Sequence, residues 1–288
     1  MNSFELKNFT GLSEFPFFIQ YGHHEHSLDL HTHTDFYELT IVLEGTATHI
    51  VNGESYFIKK GDVFGICGAA QHGFTECSNF RICNIMFLPE VLFAPFPDLK
   101  HCPGFHSLFL LEPSMTPYKN RLRLSISEFE ETEHLLAHMI EEYRSCRPGF
   151  VSSCTAYFIQ LVCFLSRCYD KAPDSTDKLS TFAKAVAHIE RCFTQKISLD
   201  EIAAIAGLSV RHFQRQFKST YQITPQEYIQ SLRMQKAVML LMRTDSSVTD
   251  ISLECGYHDS NLFSRQFRKH TGHSPRQYRE LHRSSARK

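Results

Sequence analysis

Between Phe17 and Phe87 the apolar positions alternate or cluster in short runs, the spacing of β-strands rather than helices. The runs are Phe17–Tyr21, Tyr37–Leu43, Thr46–Val51, Glu54–Ile58, Val63–Ile66 and Arg81–Phe87. Gly45, Asn52-Gly53 and Gly61-Asp62 separate them, and Asn-Gly is a strong hairpin signal. Closely spaced strands of this kind predict a small barrel or jelly roll. The proline-bearing stretch Pro89 to Pro117 has no period and reads as irregular. Beyond it the spacing becomes helical. Ser127–Arg144 and Gly149–Tyr169 predict two helices, the second with Val151, Cys154, Phe158, Leu161, Val162, Leu165 and Cys168 on one stripe. Leu135, Leu136, Met139, Ile140 and Tyr143 of the first form an apolar seam that either caps the barrel or pairs with a second copy of the chain. A polar stretch, Asp170 to Lys178, reads as a linker. From there on the pattern is helical throughout. The fold class is therefore α+β and multidomain: a β-barrel with two following helices over residues 1–170, a linker at 171–178, and an all-α domain at 179–288.

The C-terminal part contains a repeat. Phe213-Gln-Arg-Gln-Phe-Lys218 returns as Phe263-Ser-Arg-Gln-Phe-Arg268, an offset of 50 residues, and Thr224-Pro225 returns as Ser274-Pro275. Ahead of each copy a short apolar pattern ends at a glycine: Leu199–Ala206 before Gly207, and Val248–Cys255 before Gly256. Helix, glycine turn and basic second helix form the outline of a helix-turn-helix, here in tandem. In each second helix a phenylalanine pair marks the inner face. Arg211, Gln214, Arg215 and Lys218 gather opposite in the first copy, and Asn261, Arg265, Arg268 and Lys269 in the second, with Ser264 beside them. Such residues pair with base edges and phosphates, so these positions are the candidate DNA contacts. Thr224 to Arg243 reads as a long connecting helix with Pro225 in its first turn and Tyr228, Ile229, Leu232, Leu240 and Leu241 facing inward.

The stretch Ile251-Ser-Leu-Glu-Cys-Gly-Tyr-His-Asp-Ser-Asn-Leu-Phe-Ser-Arg-Gln-Phe-Arg268, continuing through Ser274-Pro275 to Tyr278-Arg279, resembles the signature of the AraC/XylS family of bacterial transcription regulators. The resemblance covers about residues 180–282, and within the family it is nearest to the rhamnose-operon regulators. It implies two helix-turn-helix units on one long helix, entering successive major grooves of promoter DNA. It also implies an activator that contacts RNA polymerase, dimerises, and carries an effector-sensing N-terminal domain.

Charge divides the chain in the same place. Residues 180–288 hold 17 Lys/Arg and 9 Asp/Glu, a balance of +8, and the remainder holds 13 and 22, a balance of −9. A basic module neutralises phosphates and an acidic one is repelled by them. The mixed polar start is not a signal peptide, and no apolar run reads as membrane-spanning. The ten cysteines are scattered without CxxC pairs, as expected of reduced thiols in a cytoplasmic protein.

One constellation in the strand-rich half carries possible chemistry. His31-x-His33-x4-Glu38-x6-Gly45 resembles the first cupin motif, with Glu25 where that motif begins with glycine. Gly61-x5-Cys67-x-Ala69-x2-His72 resembles the second, with Cys67, Ala69 and Glu76 in place of its proline, glycine and asparagine. The resemblance implies a cupin-like barrel in which His31, His33, Glu38 and His72 converge. Three roles stay open for the four: hydrogen bonding to an organic effector, a sugar, without any cofactor; ligation of a divalent transition metal such as Fe, Mn, Ni, Cu or Zn; or structural use alone. The expected function is a non-enzymatic, small-molecule-responsive regulator. Alternatives are a metal-dependent cupin enzyme fused to a DNA-binding domain, and a regulator with no effector.

Overall fold

The computed structural model describes residues 2–11, 15–67, 70–111, 121–171 and 178–284. The chain divides into two compact units, Met1–Lys184 and Ala185–Lys288.

Among the described residues the first unit is built on eight strands: β1 (Asn2–Phe4), β2 (Phe17–His24), β3 (Leu28–His33), β4 (Tyr37–Val51), β5 (Glu54–Lys59), β6 (Asp62–Cys67), β7 (His72–Phe87) and β8 (Leu122–Arg123). They form one sheet in the order β1-β3-β7-β4-β6-β8, with β2 added on β7 and β5 on β4. Asn52 and Gly53 turn β4 into β5 with φ of 48° and 83°, the positive values a tight hairpin requires.

Gly45 is the first departure from expectation. It does not end a strand but sits inside β4 at φ +72°, where the register against β7 shifts repeatedly. A Cβ at Gly45 would lie 2.1 Å from the Asn79 carbonyl oxygen, so only glycine fits. The bulge changes which residues face inward. Glu38, Thr40 and Val42 are buried before it, and Ala47, His49 and Val51 after it. The other departures extend strands. β7 begins at His72 rather than Arg81, and β3 is a strand in its own right.

The sheet separates two apolar cores. Val42, Ala47, Val51, Ile58, Phe64, Ile66, Phe74, Phe80 and Ile82 fill the interior. Leu39, Ile41, Val63, Cys83, Ile85 and Phe87 face outward and pack with the helices. Pro89 to Leu111 is not irregular. It forms α1 (Pro89–Leu92), a 3-10 turn at Pro97–His101, α2 (Pro103–Phe105) and a π-type turn at His106–Leu111. Prolines at the first positions of three of these turns explain why no longer helical period is visible. Residues 112–117 of that stretch lie outside the described residues.

The two long helices are α3 (Ile126–Ser145) and α4 (Phe150–Lys171). Ser125 and Glu128 cap α3 reciprocally. Of the two uses open to the seam, it takes the internal one. Leu135, Leu136, Met139 and Ile140 are buried in the core of their own unit, and Tyr143 is half-buried with its hydroxyl donating to the Phe17 carbonyl. Four apolar residues at helical spacing satisfy a barrel flank as well as an interface, so the pattern alone does not distinguish them. α4 is long and apolar enough to cross a membrane by length and composition, contrary to expectation. Its Phe158, Leu161, Val162 and Leu165 are fully buried in the same core. Gly104 makes this packing possible, since a Cβ there would lie 2.0 Å from the Ser166 carbonyl oxygen.

α5 (Lys178–Cys192) carries the boundary between the units. Of the expected linker, residues 172–177 lie outside the described residues. The second unit continues as α6 (Leu199–Ile205), α7 (Val210–Tyr221), α8 (Pro225–Arg243), α9 (Val248–Glu254), α10 (Ser260–Thr271) and α11 (Pro275–Ser284). Side-chain caps from Ser198, Ser209, Thr224, Ser247 and Asp259 begin α6 to α10 in turn. On α8, Leu232, Leu240 and Leu241 are buried as expected, with Met234 and Ala237. Tyr228 and Ile229 are only half-buried; the Tyr228 hydroxyl donates to Glu190.

Candidate functional sites in the two units

The sensor-side candidate is assembled from three strands. His31 and His33, two apart, share one face of β3, Glu38 is the second residue of β4, and His72 opens β7 directly opposite His31. All four are buried, and one ligand-capable atom from each lies within 4.8 Å of the others. His33 Nε2 is 3.3 Å from Glu38 Oε2 and 3.2 Å from His72 Nε2. His31 Nδ1 lies 3.0 Å from the Asp29 carbonyl. Facing a carbonyl, Nδ1 is the donor in that contact. The Nδ1 atoms of His33 and His72 are buried with no partner.

Burial controls the protonation of this cluster. It pushes the His33 imidazole down to about 3, with the charge of His31 a second cause, and holds His72 well below the usual histidine range. It lifts the Glu38 carboxyl to about 7, against a smaller downward pull from Thr40. Thr40 Oγ1 lies 3.0 Å from both Glu38 Oε1 and Asn84 Oδ1. One hydroxyl hydrogen serves only one acceptor, so a proton on Glu38 completes the chain from Glu38 through Thr40 to Asn84. The outcome is neutral imidazoles at His33 and His72 beside a carboxyl poised near neutrality. Three imidazoles and a carboxylate are also a donor set that suits a divalent transition metal.

Sequence reasoning did not find three participants. Thr40 and Asn84 lie on inward positions of β4 and β7. His49 is buried between Phe64 and Phe74, at ring-centroid distances of 4.5 and 4.9 Å, and its Nε2 has no partner. Burial holds it down at about 3, with Arg121 a second cause. The bulge at Gly45 hid it, because alternation counted from Glu38 places position 49 outside. Cys67 lies on β6, and Ala69 of the second motif lies outside the described residues.

The reader-side candidate is the pair α7 and α10. Phe213 and Phe217, and Phe263 and Phe267, are fully buried. Arg211, Arg215 and Lys218 on α7, and Asn261, Arg265, Arg268 and Lys269 on α10, are exposed. Gln214 and Ser264 are half-buried, and the Ser264 hydroxyl donates back to the Ser260 carbonyl. Equivalent residues therefore present equivalent faces 50 positions apart. Gly207 and Gly256 adopt φ of +65° and +84° in the turns before them.

Arg233 on α8 was not singled out from the sequence. It donates to the carbonyls of Phe193, Gln195 and Gly256, and lies over the Tyr257 ring. Gln230 on the same helix bonds to Gln266 on α10. These bonds tie the second helix-turn-helix to the connecting helix α8.

Comparison with known proteins matches these two regions. A cupin domain model matches residues 17–86, and a helix-turn-helix domain model matches residues 202–281. The HTH-type transcriptional activator RhaS of Klebsiella pneumoniae (strain 342) is 32% identical over 248 residues, which is 86% of this chain and 86% of that protein. RhaS of Escherichia coli O81 (strain ED1a) is 31% identical over 251 residues, again 86% of each. Among solved structures, the DNA-binding domain of AdpA in complex with a target DNA is 29% identical and covers 36% of this chain and 95% of that one, with a TM-score of 0.35. A cupin domain joined to a tandem helix-turn-helix defines a DNA-binding transcription regulator. The chain belongs to the AraC/XylS family of such regulators, alongside the RhaS activators.

Proposed function

We propose that this regulator is an activator that responds to a small molecule of the sugar class, sensed in the cupin domain at His31, His33, Glu38 and His72. The observation that carries the reading is unmet hydrogen-bonding capacity in the sensor. Buried polar atoms on His33, His72 and His49 have no partner, although such atoms are costly to leave unpaired. Sugar hydroxyls both donate and accept, and so complement neutral imidazoles beside a carboxyl. The relatives' name as activators supports the direction of regulation. In this reading the chain works in the cytoplasm as a homodimer, through surfaces other than the α3 seam. It binds promoter DNA with Arg211, Gln214, Arg215 and Lys218 of α7 and Asn261, Ser264, Arg265 and Arg268 of α10, and it engages RNA polymerase.

Two measurements test the two halves. Arg215→Ala and Arg265→Ala should each weaken binding to an operator selected from random DNA by about 1–3 kcal/mol, with protection lost at different half-elements. Wild-type affinity in both would remove these helices from the major groove. In a reporter strain, Glu38→Gln should blunt the response to inducing sugar while DNA affinity without effector stays the same.

A second reading is favoured by compactness. Four ligand-capable atoms within 4.8 Å of one another suit a single ion as well as a hydroxyl. The same four residues would hold a divalent transition metal, which would supply a Lewis-acidic anchor for an effector's oxygens. Metal analysis of purified protein should then find about one equivalent, lowered by Glu38→Gln and removed by chelator. A metal-free protein with full effector response would leave the first reading alone.

A further inference from the structure

The sensor interior holds a second polar group, away from the four-residue cluster. Asp62 on β6 is fully buried and carries two guanidinium groups. Arg123 takes it in a bidentate pair, Nε to Oδ1 at 2.7 Å and Nη2 to Oδ2 at 2.9 Å, and the Lys59 backbone N–H donates to Oδ2 at 2.9 Å. Arg121 adds only its Nε, 3.2 Å from Oδ2. One carboxylate thus faces two cations, and the group keeps one positive charge in a domain whose overall balance is strongly negative.

Strand register places that charge. β8 pairs with β6 through Asp62↔Arg123 and Val63↔Leu122. Val63 and Leu122 are buried in the helix-facing core, so Arg121 and Arg123 lie on the opposite face, with Asp62 and Phe64. Phe64 packs against His49 in a tilted pair with ring centroids 4.5 Å apart, and Arg121 is near enough to act on the His49 ring electrostatically. The Arg121 side chain is 30% exposed, so its terminal amino groups are open to a ligand. From there the polar groups run inward from Arg121 through His49 and His72 to His33 and Glu38.

We infer that Arg121 and His49 form a subsite for an anionic group, and that the effector is an acidic sugar derivative. Its carboxylate or phosphoryl group meets the Arg121 fork, and its hydroxyls meet the histidine cluster. Arg suits this because its planar amino groups match two oxygens at once. His49 Nε2, buried and unpartnered, adds a hydrogen-bonding atom at the same end. The inference rests on the proposed sensing role of this domain and narrows its ligand class.

The experiment is a binding panel on the full-length protein, read by thermal shift and calorimetry. It compares neutral pentoses and hexoses with hexuronates, aldonates and hexose phosphates. Acidic members should bind and their neutral parents should not, and uronates against phosphates will identify which anion is read. Arg121→Gln should weaken the acidic ligand at least tenfold, and Arg121→Lys, which keeps the charge without the fork, should fall between. Arg121→Lys also guards against misfolding of the neutral variant. Binding by neutral sugars alone, or acidic binding untouched by either Arg121 variant, would overturn the subsite and leave sugar sensing standing. No binding anywhere in the panel would overturn both.

Discussion

At the scale of single residues, the cupin domain is governed by burial of titratable groups. His33 and His49 are held to about 3 and His106 to about 4, so all are neutral in the folded protein at ordinary pH. The unfolded chain binds protons at these sites below about 6.5. Stability is therefore fully present above that value and is lost as pH falls, by up to about 1.4 kcal/mol per pH unit for each such histidine. Glu38 works the other way. Its folded value near 7 exceeds the unfolded one, so its contribution is present below about 4.5 and lost as pH rises towards 7. Three histidines outnumber one carboxyl, and the expected result is a melting temperature that falls from pH 7 to pH 5. His49→Phe should flatten that slope, because the ring already packs between Phe64 and Phe74. An unchanged slope would mean that His49 is charged in the folded state.

At the scale of elements, the two helix-turn-helix turns look alike in sequence and differ in packing. Gly207 and Gly256 both hold positive φ, and both were legible as turn signals. A Cβ on Gly207 would meet nothing within 4 Å, whereas one on Gly256 would lie 2.3 Å from the Thr194 carbonyl oxygen. Gly207→Ala should cost about 1 kcal/mol, the strain of the left-handed region alone. Gly256→Ala should cost several times as much, since backbone must move, and should weaken DNA binding through α10. Equal melting temperatures for the two variants would contradict this packing. The long helices, the capped starts of α8 and α9 and the buried phenylalanine pairs could all be read from local pattern. The short turns after Pro89 could not, because helices of three to six residues leave no period to read. Nor could the destination of the α3 stripe, since one apolar face serves a core or a partner equally well.

For the whole molecule, opposite charge balances on the two parts set how it meets DNA. The unit that carries α7 and α10, residues 185–288, holds 16 Lys/Arg and 9 Asp/Glu, a balance of +7, and the rest holds 14 and 22, a balance of −8. Operator affinity should fall steeply with salt, with a log–log slope that shrinks by about one for each phosphate-contacting Lys or Arg removed. A fragment of residues 1–170 should show no DNA binding at any salt concentration. A slope near zero for the full chain would put readout, not charge, in control of affinity. The four-residue cluster was legible because its members lie at motif spacing near strand ends. Arg121 and His49 were not, because each depends on register between strands distant in sequence.

The bulge at Gly45 has a practical consequence for anyone remodelling the sensor. Inward positions on β4 are even-numbered before it and odd-numbered after it. A mutagenesis library that follows a single parity would alter the lumen in one half of the strand and the outer face in the other. Deleting Gly45 would remove the phase shift and leave Ala47, His49 and Val51 inward, now on the same parity as Glu38, Thr40 and Val42. One residue thus acts as a phase switch, and variation in ligand preference has to be written in two reading frames along the same strand.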